Sequence, residues 1–224
     1  IDRAQSFGYS VMTSVVKDFS PKQVLKFLQN GSIEGAIVAG GGLDEAEVAG
    51  LVDGVFPVFF VDNLRSDRDI SGRKSIVNRN NVKGAYLATQ YLIDMGHTDI
   101  VYLHGAPNRL ASIERLEGYQ QALQERGQAP RPENILPGDF SDSTAEKAVT
   151  TFLDQHRIPS AIFAINDMSA IGAIRALKQR NITVPDEVSI VGFDDLLIAK
   201  EIDPKLTTVR ANTEIVAAEA VERL

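Results

Sequence analysis

Short, mainly apolar runs that alternate with helix-like stretches are the feature of this sequence that most constrains its fold. The runs occupy residues 36–39, 57–61, 99–103, 160–164 and 188–191, and many of the segments between them carry apolar residues at helical spacing. Parallel strands require crossover connections, and these connections are usually helices. The alternation therefore predicts an α/β protein built on parallel sheets.

Helix-starting and helix-ending residues mark the predicted helices. Gly96 and Gly127 each follow an apolar-periodic segment, as expected just past a helix C-terminus. Ser20 followed by Pro21 is typical of a helix start. Further strands are predicted at residues 9–16 and 75–77. The predicted helices are 20–30, 44–52, 81–95, 112–126, 143–155, 167–180 and one from 212 to the end of the sequence.

The predicted elements form two successive series of strand–helix units. The break between the series lies near residues 78–80, and no strict internal repeat accompanies it. The chain has 224 residues, which is enough for two lobes of about 100 residues, each with its own core. The sequence therefore predicts two similar α/β lobes.

Composition excludes several classes of function. The chain has 23 lysines and arginines against 30 aspartates and glutamates, and it lacks the cation cluster that displaces counterions from DNA. It has no cysteine, which excludes disulfides and thiolate metal sites and suits the cytoplasm. It shows no signal peptide and no apolar stretch of about 18 residues. We therefore expect a cytoplasmic protein that does not itself bind nucleic acid or enter a membrane.

Polar residues at the predicted carboxyl ends of strands are candidates for ligand binding, because open parallel sheets bind ligands outside those ends. Asp62 ends one strand, glycines 40–42 end another, Asn166 follows a third and Asp194 a fourth. Carboxylate and amide oxygens accept hydrogen bonds from sugar hydroxyls, and the amide also donates. For Asn166 and Asp194 the alternative is a helix N-cap, a common role of these residue types.

Two arginines and a phenylalanine complete the candidate set. Arg109 and Arg115 flank the start of a predicted helix, and Glu114 and Glu117 lie close to Arg115. A surface ion pair is one interpretation of Arg115. The other is a guanidinium that reaches a ligand hydroxyl or carboxylate. Phe140 is either a core residue or a stacking wall for the apolar face of a sugar.

The sequence offers little support for catalysis. His97, His104 and His156 are far apart and lack the spacing of a zinc-binding helix. Neither a nucleophile elbow nor a phosphate-binding loop occurs, and no nucleophile–base pair is evident. We therefore expect a binding protein rather than an enzyme, with no cofactor and no metal.

Seven short motifs occur in a fixed order between residues 80 and 210. They are Asn80-Asn81 with Gly84, LIDMGH at 92–97, RLEGY at 115–119, GDF at 138–140, AIFAIND at 161–167, VPDEVSIVGFDD at 184–195 and PKLTTVR at 204–210. Each motif is weak alone, but the ordered set is specific. It resembles the lactose-repressor (LacI/GalR) family of bacterial transcriptional regulators, and the similarity extends over essentially the whole chain.

The resemblance implies a periplasmic-binding-protein-like fold, with two doubly wound parallel-sheet lobes joined by crossover segments. The N-terminal lobe would comprise residues 1–78 and 211–224 without its first strand, and the C-terminal lobe residues 79–210. Members of the family bind an effector between the lobes and read operator DNA through a separate N-terminal helix-turn-helix. The resemblance also implies a homodimer, a small sugar-like effector and allosteric coupling of effector to operator.

The same resemblance assigns roles to the candidate residues. Arg115 would donate to the effector, and Asn166 and Asp194 would bind its polar groups. Phe140 would form its apolar wall, and Asp62 would contact it from the other lobe. These side chains suit a sugar or a sugar derivative.

Some alternatives stay open. The position of Arg109 contacts the effector in only some members of the family. With Arg109 and Arg115 both present, an anionic ligand such as a sugar phosphate is an alternative. Some relatives of the fold bind purines instead. The family's Asp-Asn pair is Asn80-Asn81 here, and its second glycine is Ala85. Because the chain begins at Ile1, we expect the helix-turn-helix upstream.

The rival interpretation is an exported sugar-binding protein of a transport system, and the motif at 204–210 favours the repressor.

Overall fold

The computed structural model of the chain describes residues 2–14, 26, 33–39, 57–62, 76–77 and 79–224. The described helices are α1 (Asp2–Ser6), α2 (Asn81–Asp94), α3 (Leu110–Glu125), α4 (Asp142–Gln155), α5 (Asp167–Gln179), α6 (Ile198–Glu201) and α7 (Thr213–Arg223). The described strands are β1 (Ala36–Ala39), β2 (Val58–Val61), β3 (Ile76–Val77), β4 (Ile100–His104), β5 (Ile135–Pro137), β6 (Ala161–Ala164), β7 (Ser189–Asp194) and β8 (Thr207–Arg210), with a 3-10 turn at Pro132–Asn134.

The chain divides into two units, which we call the first unit (Ile1–Arg79 with Asn212–Leu224) and the second unit (Asn80–Ala211). In the first unit, β1, β2 and β3 lie side by side in that order and are parallel. The central strand β2 buries Val58, Phe59 and Phe60. The predicted α/β character with parallel strands is therefore present in this unit.

A parallel five-stranded sheet in the order β5-β4-β6-β7-β8 forms the second unit. Tyr102 lies opposite Phe163 in the register of β4 and β6, and Phe163 lies opposite Val191 of β7. Alternate strand residues enter two different cores, because side chains of a strand point to opposite faces. Tyr102 and Phe163 pack with α2 and α3, whereas Val101 and Ile162 pack with α4 and α5. Burial on both faces explains why these strands read as continuous apolar runs.

Helix ends in the second unit follow the local signals in the sequence. The Oδ1 of Asn80 accepts from the backbone N–H of Lys83 at the start of α2, and Ser141 has the same role at the start of α4. Gly96 and Gly127 adopt positive φ of 94° and 68° after α2 and α3. These glycines were predicted as helix ends, and the structure confirms them.

The predicted strand at residues 9–16 is wrong for its described part. Residues 9–14 have no regular structure, and Tyr9, Val11 and Met12 are exposed. An apolar run becomes a strand only where a neighbour completes its backbone hydrogen bonds, and no described strand pairs with these residues. The prediction of a buried strand at 36–39 also needs correction, because β1 lies at the edge of the described sheet and Ile37 is exposed.

Several short elements of the second unit were not predicted. The edge strand β5 has three residues and ends in Pro137, and three of the four residues of the other edge strand, β8, are polar. Edge strands tolerate proline and polar residues because one side of them is unpaired. Helix α3 begins at Leu110, two residues before its predicted start.

Some predicted elements lie outside the described residues. They are residues 15–16 of the first strand, the helix at 20–30 apart from Lys26, glycines 40–42 and the helix at 44–52. Among the helices that the structure describes, none is long and apolar enough to span a bilayer.

Candidate functional site

Arg115 occupies the carboxyl edge of the second unit's sheet and is almost completely buried, with 1% of its surface exposed. Its Nη1 donates to the carbonyl of Ile165, just past the end of β6. Its Nη2 lies 3.3 Å from Oδ1 of Asp194, the last residue of β7. Its Nε donates to Oδ1 of Asn81 at 3.0 Å. The guanidinium therefore links two neighbouring strand ends to the start of α2.

Helix periodicity explains how α3 delivers this side chain. Ser112, Arg115 and Tyr119 recur at three- and four-residue spacing, and all three are buried. The surface ion pair, one of the two interpretations of Arg115, is wrong, because Arg115 lies on this buried, inward face of α3. The guanidinium carbon also stacks 3.6 Å from the centroid of the Phe193 ring, a cation–π contact.

Asp194 terminates β7 with a positive φ of 111°, so the chain turns sharply where the carboxylate emerges. Its side chain is 21% exposed, which leaves it accessible to a small molecule. The N-cap interpretation of Asp194 is wrong, because the next helix, α6, begins at Ile198 after Leu197. The adjacent Asp195 hydrogen-bonds Arg210, and this bond lowers the pKa of Asp195.

Asn166 caps α5, and the N-cap interpretation is confirmed. Its Oδ1 accepts from the backbone N–H of Ser169 at 2.9 Å, and its Nδ2 lies 3.4 Å from the carbonyl of Phe140. A carboxamide oxygen has two lone pairs and its nitrogen two protons. A second hydrogen bond from either atom therefore remains chemically possible, which keeps a ligand role compatible with capping.

Phe140 lies in the loop between β5 and α4 and is half-buried against the core on the α2 and α3 side. Its φ of 55° follows a φ of 48° at Asp139, so two consecutive non-glycine residues are left-handed. Such conformations are costly and cluster at functional sites. The ring edge lies against Gly105, directly after β4. The core and wall interpretations of Phe140 are thus compatible.

The other two predicted site residues are Arg109 and Asp62. Arg109 is exposed and immediately precedes α3, without a side-chain cap bond. Asp62 belongs to the first unit, directly after β2, and is buried. Its two carboxylate oxygens accept from the backbone N–H of Arg79 at 2.8 Å and from its Nε at 2.5 Å. The structure therefore assigns Asp62 a contact with the segment that leads into the second unit.

Sequence reasoning missed two residues that hold Arg115. Asn81 is buried, and its Nδ2 donates to Glu114 at 3.0 Å while its Oδ1 accepts from Arg115. Phe193 forms the platform below the guanidinium, and a Cβ on Gly84 of α2 would lie 2.7 Å from that ring. The signal for both was present, since Asn81 and Phe193 belong to motifs that carried the family resemblance.

Asp167 is a further buried carboxylate beside the site that the sequence did not single out. Its Oδ2 accepts from the backbone N–H of Leu196 at 2.7 Å, and its Oδ1 accepts from the hydroxyl of Thr208 at 2.5 Å. Burial raises the pKa of Asp167, and the nearby charges of Asp194 and Asp195 raise it further. Asp167 ties the loop after β7 to β8, so its role is to position the loop that carries Asp194.

The chemistry of the cluster is that of hydrogen-bond recognition. It combines a guanidinium, a carboxylate, a carboxamide and an aromatic ring at one sheet edge, which is the mixture of polar and apolar groups typical of small-molecule sites. Within the described part of the chain, no group of three histidines, aspartates or glutamates could hold a metal ion. The arrangement can orient a polar ligand.

Known proteins share this fold. Residues 89–224 match the family described as periplasmic binding protein-like domain. The HTH-type transcriptional repressor PurR of Aliivibrio salmonicida is 32% identical over 204 residues, which cover 91% of this chain and 60% of that protein. The chain spans about half the length of the curated relatives it matches.

Two solved structures give the same result. A LacI-type transcription regulator from Bifidobacterium animalis subsp. lactis has a TM-score of 0.87 and 26% identity, covering 100% of this chain and 82% of its own. The transcriptional regulator CelR in complex with cellobiose has a TM-score of 0.80 and 27% identity, covering 90% of this chain and 61% of its own. Fold and site thus define a periplasmic-binding-protein-like module. The chain belongs to the LacI/GalR family of transcriptional regulators, of which it is an effector-binding core.

Proposed function

We propose that this core senses a small sugar-like effector for a bacterial transcriptional repressor. The observation that carries the proposal is the buried guanidinium of Arg115, joined to Asp194 and to the backbone beside Asn166 at one sheet edge. Carboxylate and amide groups in such an arrangement recognise hydroxyls. The complex of CelR, a structural relative, with cellobiose supports a sugar as the ligand class.

Each residue of the site receives a role in this proposal. Asp194 accepts hydrogen bonds from effector hydroxyls, Arg115 donates to the effector and holds Asp194, and Asn166 binds a polar group while capping α5. Phe140 stacks on the apolar face of the ring. We also propose Asp62 and Arg109 as effector contacts. If Arg109 reaches the ligand, a phosphorylated sugar becomes the better fit, because an exposed guanidinium pairs with phosphate.

The proposed regulation extends beyond the chain itself. We propose that the protein acts in the cytoplasm as a homodimer without catalytic activity, and that a helix-turn-helix outside this sequence binds the operator. Effector binding then shifts operator affinity through a coupling free energy of about 1–3 kcal/mol. The repressor relatives support this proposal. An exported sugar-binding protein is not favoured.

A thermal-shift and calorimetric screen tests the ligand class. The probes are D-glucose, D-galactose, D-ribose, cellobiose, glucose 6-phosphate and hypoxanthine. A sugar at 100 times its Kd stabilises the fold by about 2.7 kcal/mol. We expect Asp194→Asn to abolish the response to the best sugar, because it removes the acceptor charge that remains accessible at the site.

Asp154→Asn is the matched control. It makes the same change at Asp154 of α4, which forms an exposed ion pair with Arg180. It should leave the ligand response intact. A response to hypoxanthine alone would reject the sugar class. An Asp194→Asn variant that responds like the parent protein would place the ligand elsewhere.

A further inference from the structure

A buried hydroxyl without a hydrogen-bond partner lies beside the proposed site. Ser112 is fully buried, and its Oγ contacts no donor or acceptor among the residues that the structure describes. Ser112 precedes Arg115 by three residues, so the two side chains leave α3 on the same inward face. A buried hydroxyl in this state is destabilising unless something else satisfies it.

Gly105 has no side chain, and this lets the Ser112 hydroxyl and the Phe140 ring lie close to its backbone. A Cβ on Gly105 would lie 2.4 Å from the Oγ of Ser112 and 2.5 Å from Cε2 of Phe140. Gly105 follows β4 directly, at the same carboxyl edge as Asp194. The hydroxyl and the edge of the aromatic ring therefore both lie against Gly105, where any larger residue would collide with them.

Phe140, whose ring edge lies close to this hydroxyl, belongs to a strained loop. Left-handed conformations at Asp139 and Phe140 are costly for non-glycine residues, and the Nδ2 of Asn166 holds the Phe140 carbonyl. The unpartnered hydroxyl of Ser112 thus lies beside an apolar ring.

We propose that Ser112 is a further effector-binding residue that selects for one hydroxyl of the ligand. The ligand displaces the edge of the Phe140 ring and hydrogen-bonds the Oγ of Ser112. A site with a buried hydroxyl binds a ligand without a hydrogen-bonding partner for it more weakly, because the protein hydroxyl then stays buried and unpaired. This inference rests on the proposed function, and it adds a specificity determinant to it.

Stability without ligand gives the first test. Ser112→Ala should leave Tm unchanged or raise it, because the lost hydroxyl has no bond to break. The control is Ser160→Ala, whose Oγ donates to the carbonyl of Asp99 at 3.0 Å. We expect it to lower Tm by about 2–4 °C. A Ser112→Ala variant that loses as much as Ser160→Ala would show a structural hydroxyl and overturn the proposal.

Calorimetric titration gives the second test, with whichever of D-glucose, D-galactose, D-ribose and cellobiose binds best and with its monodeoxy derivatives. Ser112→Ala should raise Kd for the parent sugar by about tenfold. One deoxy derivative should bind wild type and variant equally well, because the partner of Ser112 is then absent from the ligand. Identical affinities of variant and wild type for the parent sugar would overturn the role of Ser112 alone. If none of the four sugars binds wild type, the proposed sugar function fails and this inference fails with it.

Discussion

Arg115 and Asp194 are 79 positions apart in the chain, and the fold brings Nη2 of the one to 3.3 Å from Oδ1 of the other. The arginine side chain is 2% exposed, against 21% for the aspartate. The buried guanidinium relies on this pair and on its bonds to Asn81 and Ile165 in place of water, whereas the aspartate stays partly exposed. The arginine of the candidate site is therefore also part of the framework, and its loss should affect folding as well as binding.

Replacing Arg115 should lower the free energy of unfolding strongly. Arg115→Ala removes bonds to Asn81, Ile165 and Asp194 and the stack on Phe193, so we expect a loss of about 3–5 kcal/mol in denaturant titrations. The control is Arg126→Ala, which breaks the exposed pair with Asp94 and should cost about 1 kcal/mol or less. Equal losses for the two variants would contradict the structural role. Binding studies are better done with Asp194→Asn for this reason.

Two buried tyrosines on the α2 and α3 side of the sheet should respond differently to loss of the hydroxyl. The Oη of Tyr102 has no hydrogen-bond partner in the described structure, whereas that of Tyr119 donates to the carbonyl of Ile100 at 2.9 Å. Tyr102→Phe should leave stability unchanged or raise it, and Tyr119→Phe should lower it by about 1 kcal/mol. Thermal unfolding of the two variants measures the difference. The reverse order would mean that Tyr102 has a partner.

The contact between α2 and α3 should not tolerate a side chain at Gly118. A Cβ there would lie 2.2 Å from the carbonyl oxygen of Val82 and 2.8 Å from the backbone nitrogen of Tyr86. Backbone atoms cannot rotate away, so we expect Gly118→Ala to cost about 1–3 kcal/mol despite the better helix propensity of alanine. Gln121→Ala, at an exposed position of the same helix, should change stability by about 0.5 kcal/mol or less.

The buried carboxylate of Asp167 should make stability depend on pH in an unusual direction. Burial raises its pKa above the ordinary 3.8, so the charged form is disfavoured in the folded state. The free-energy cost of this buried charge is absent below pH 3.8. It grows between pH 3.8 and the raised pKa of the folded state and is complete above it. The Tm of Asp167→Asn minus that of wild type should therefore become more positive from pH 3.8 upward.

An aspartate with the opposite shift provides the control for that series. The hydrogen bond from Arg175 lowers the pKa of Asp142, so its ionised form stabilises the fold above pH 3.8 and this contribution is lost on acidification. The Tm of Asp142→Asn minus that of wild type should become more negative as pH rises. Parallel curves for the two variants would refute the assignment for Asp167.

Elements with strong local signals were predicted well. The interior helix α2 and the buried strand β6 lie within one residue of their predicted bounds, because helical periodicity and capping act over a few residues. Asn166 also caps α5, as one of its two interpretations predicted from its residue type. Residues 9–14 show the limit of this reasoning, since an apolar run does not reveal whether a neighbouring strand is available to pair with it.

The candidate site shows the same division. The sheet edge that carries its residues was predictable, because polar residues that follow apolar runs lie at the carboxyl ends of parallel strands. The burial of Arg115 was not, and the surface-pair interpretation followed from the acidic residues beside it in the chain. Asn81, Ile165 and Asp194, which bond its guanidinium, are 34, 50 and 79 residues away.

The amino-acid sequence by itself determined the parallel α/β architecture, the helix caps and the strand ends at which polar side chains emerge, since each of these depends on residues a few positions apart. Which of those side chains contact one another, and through which atoms, was decided by the tertiary structure and not by any local pattern. The strand order β4-β6-β7 places Ile165 and Asp194 next to each other, and the packing of α2 and α3 on that sheet brings Asn81 and Arg115 to them. Such contacts form between residues that are far apart in the chain and are buried together, so no pattern within a short segment predicts them.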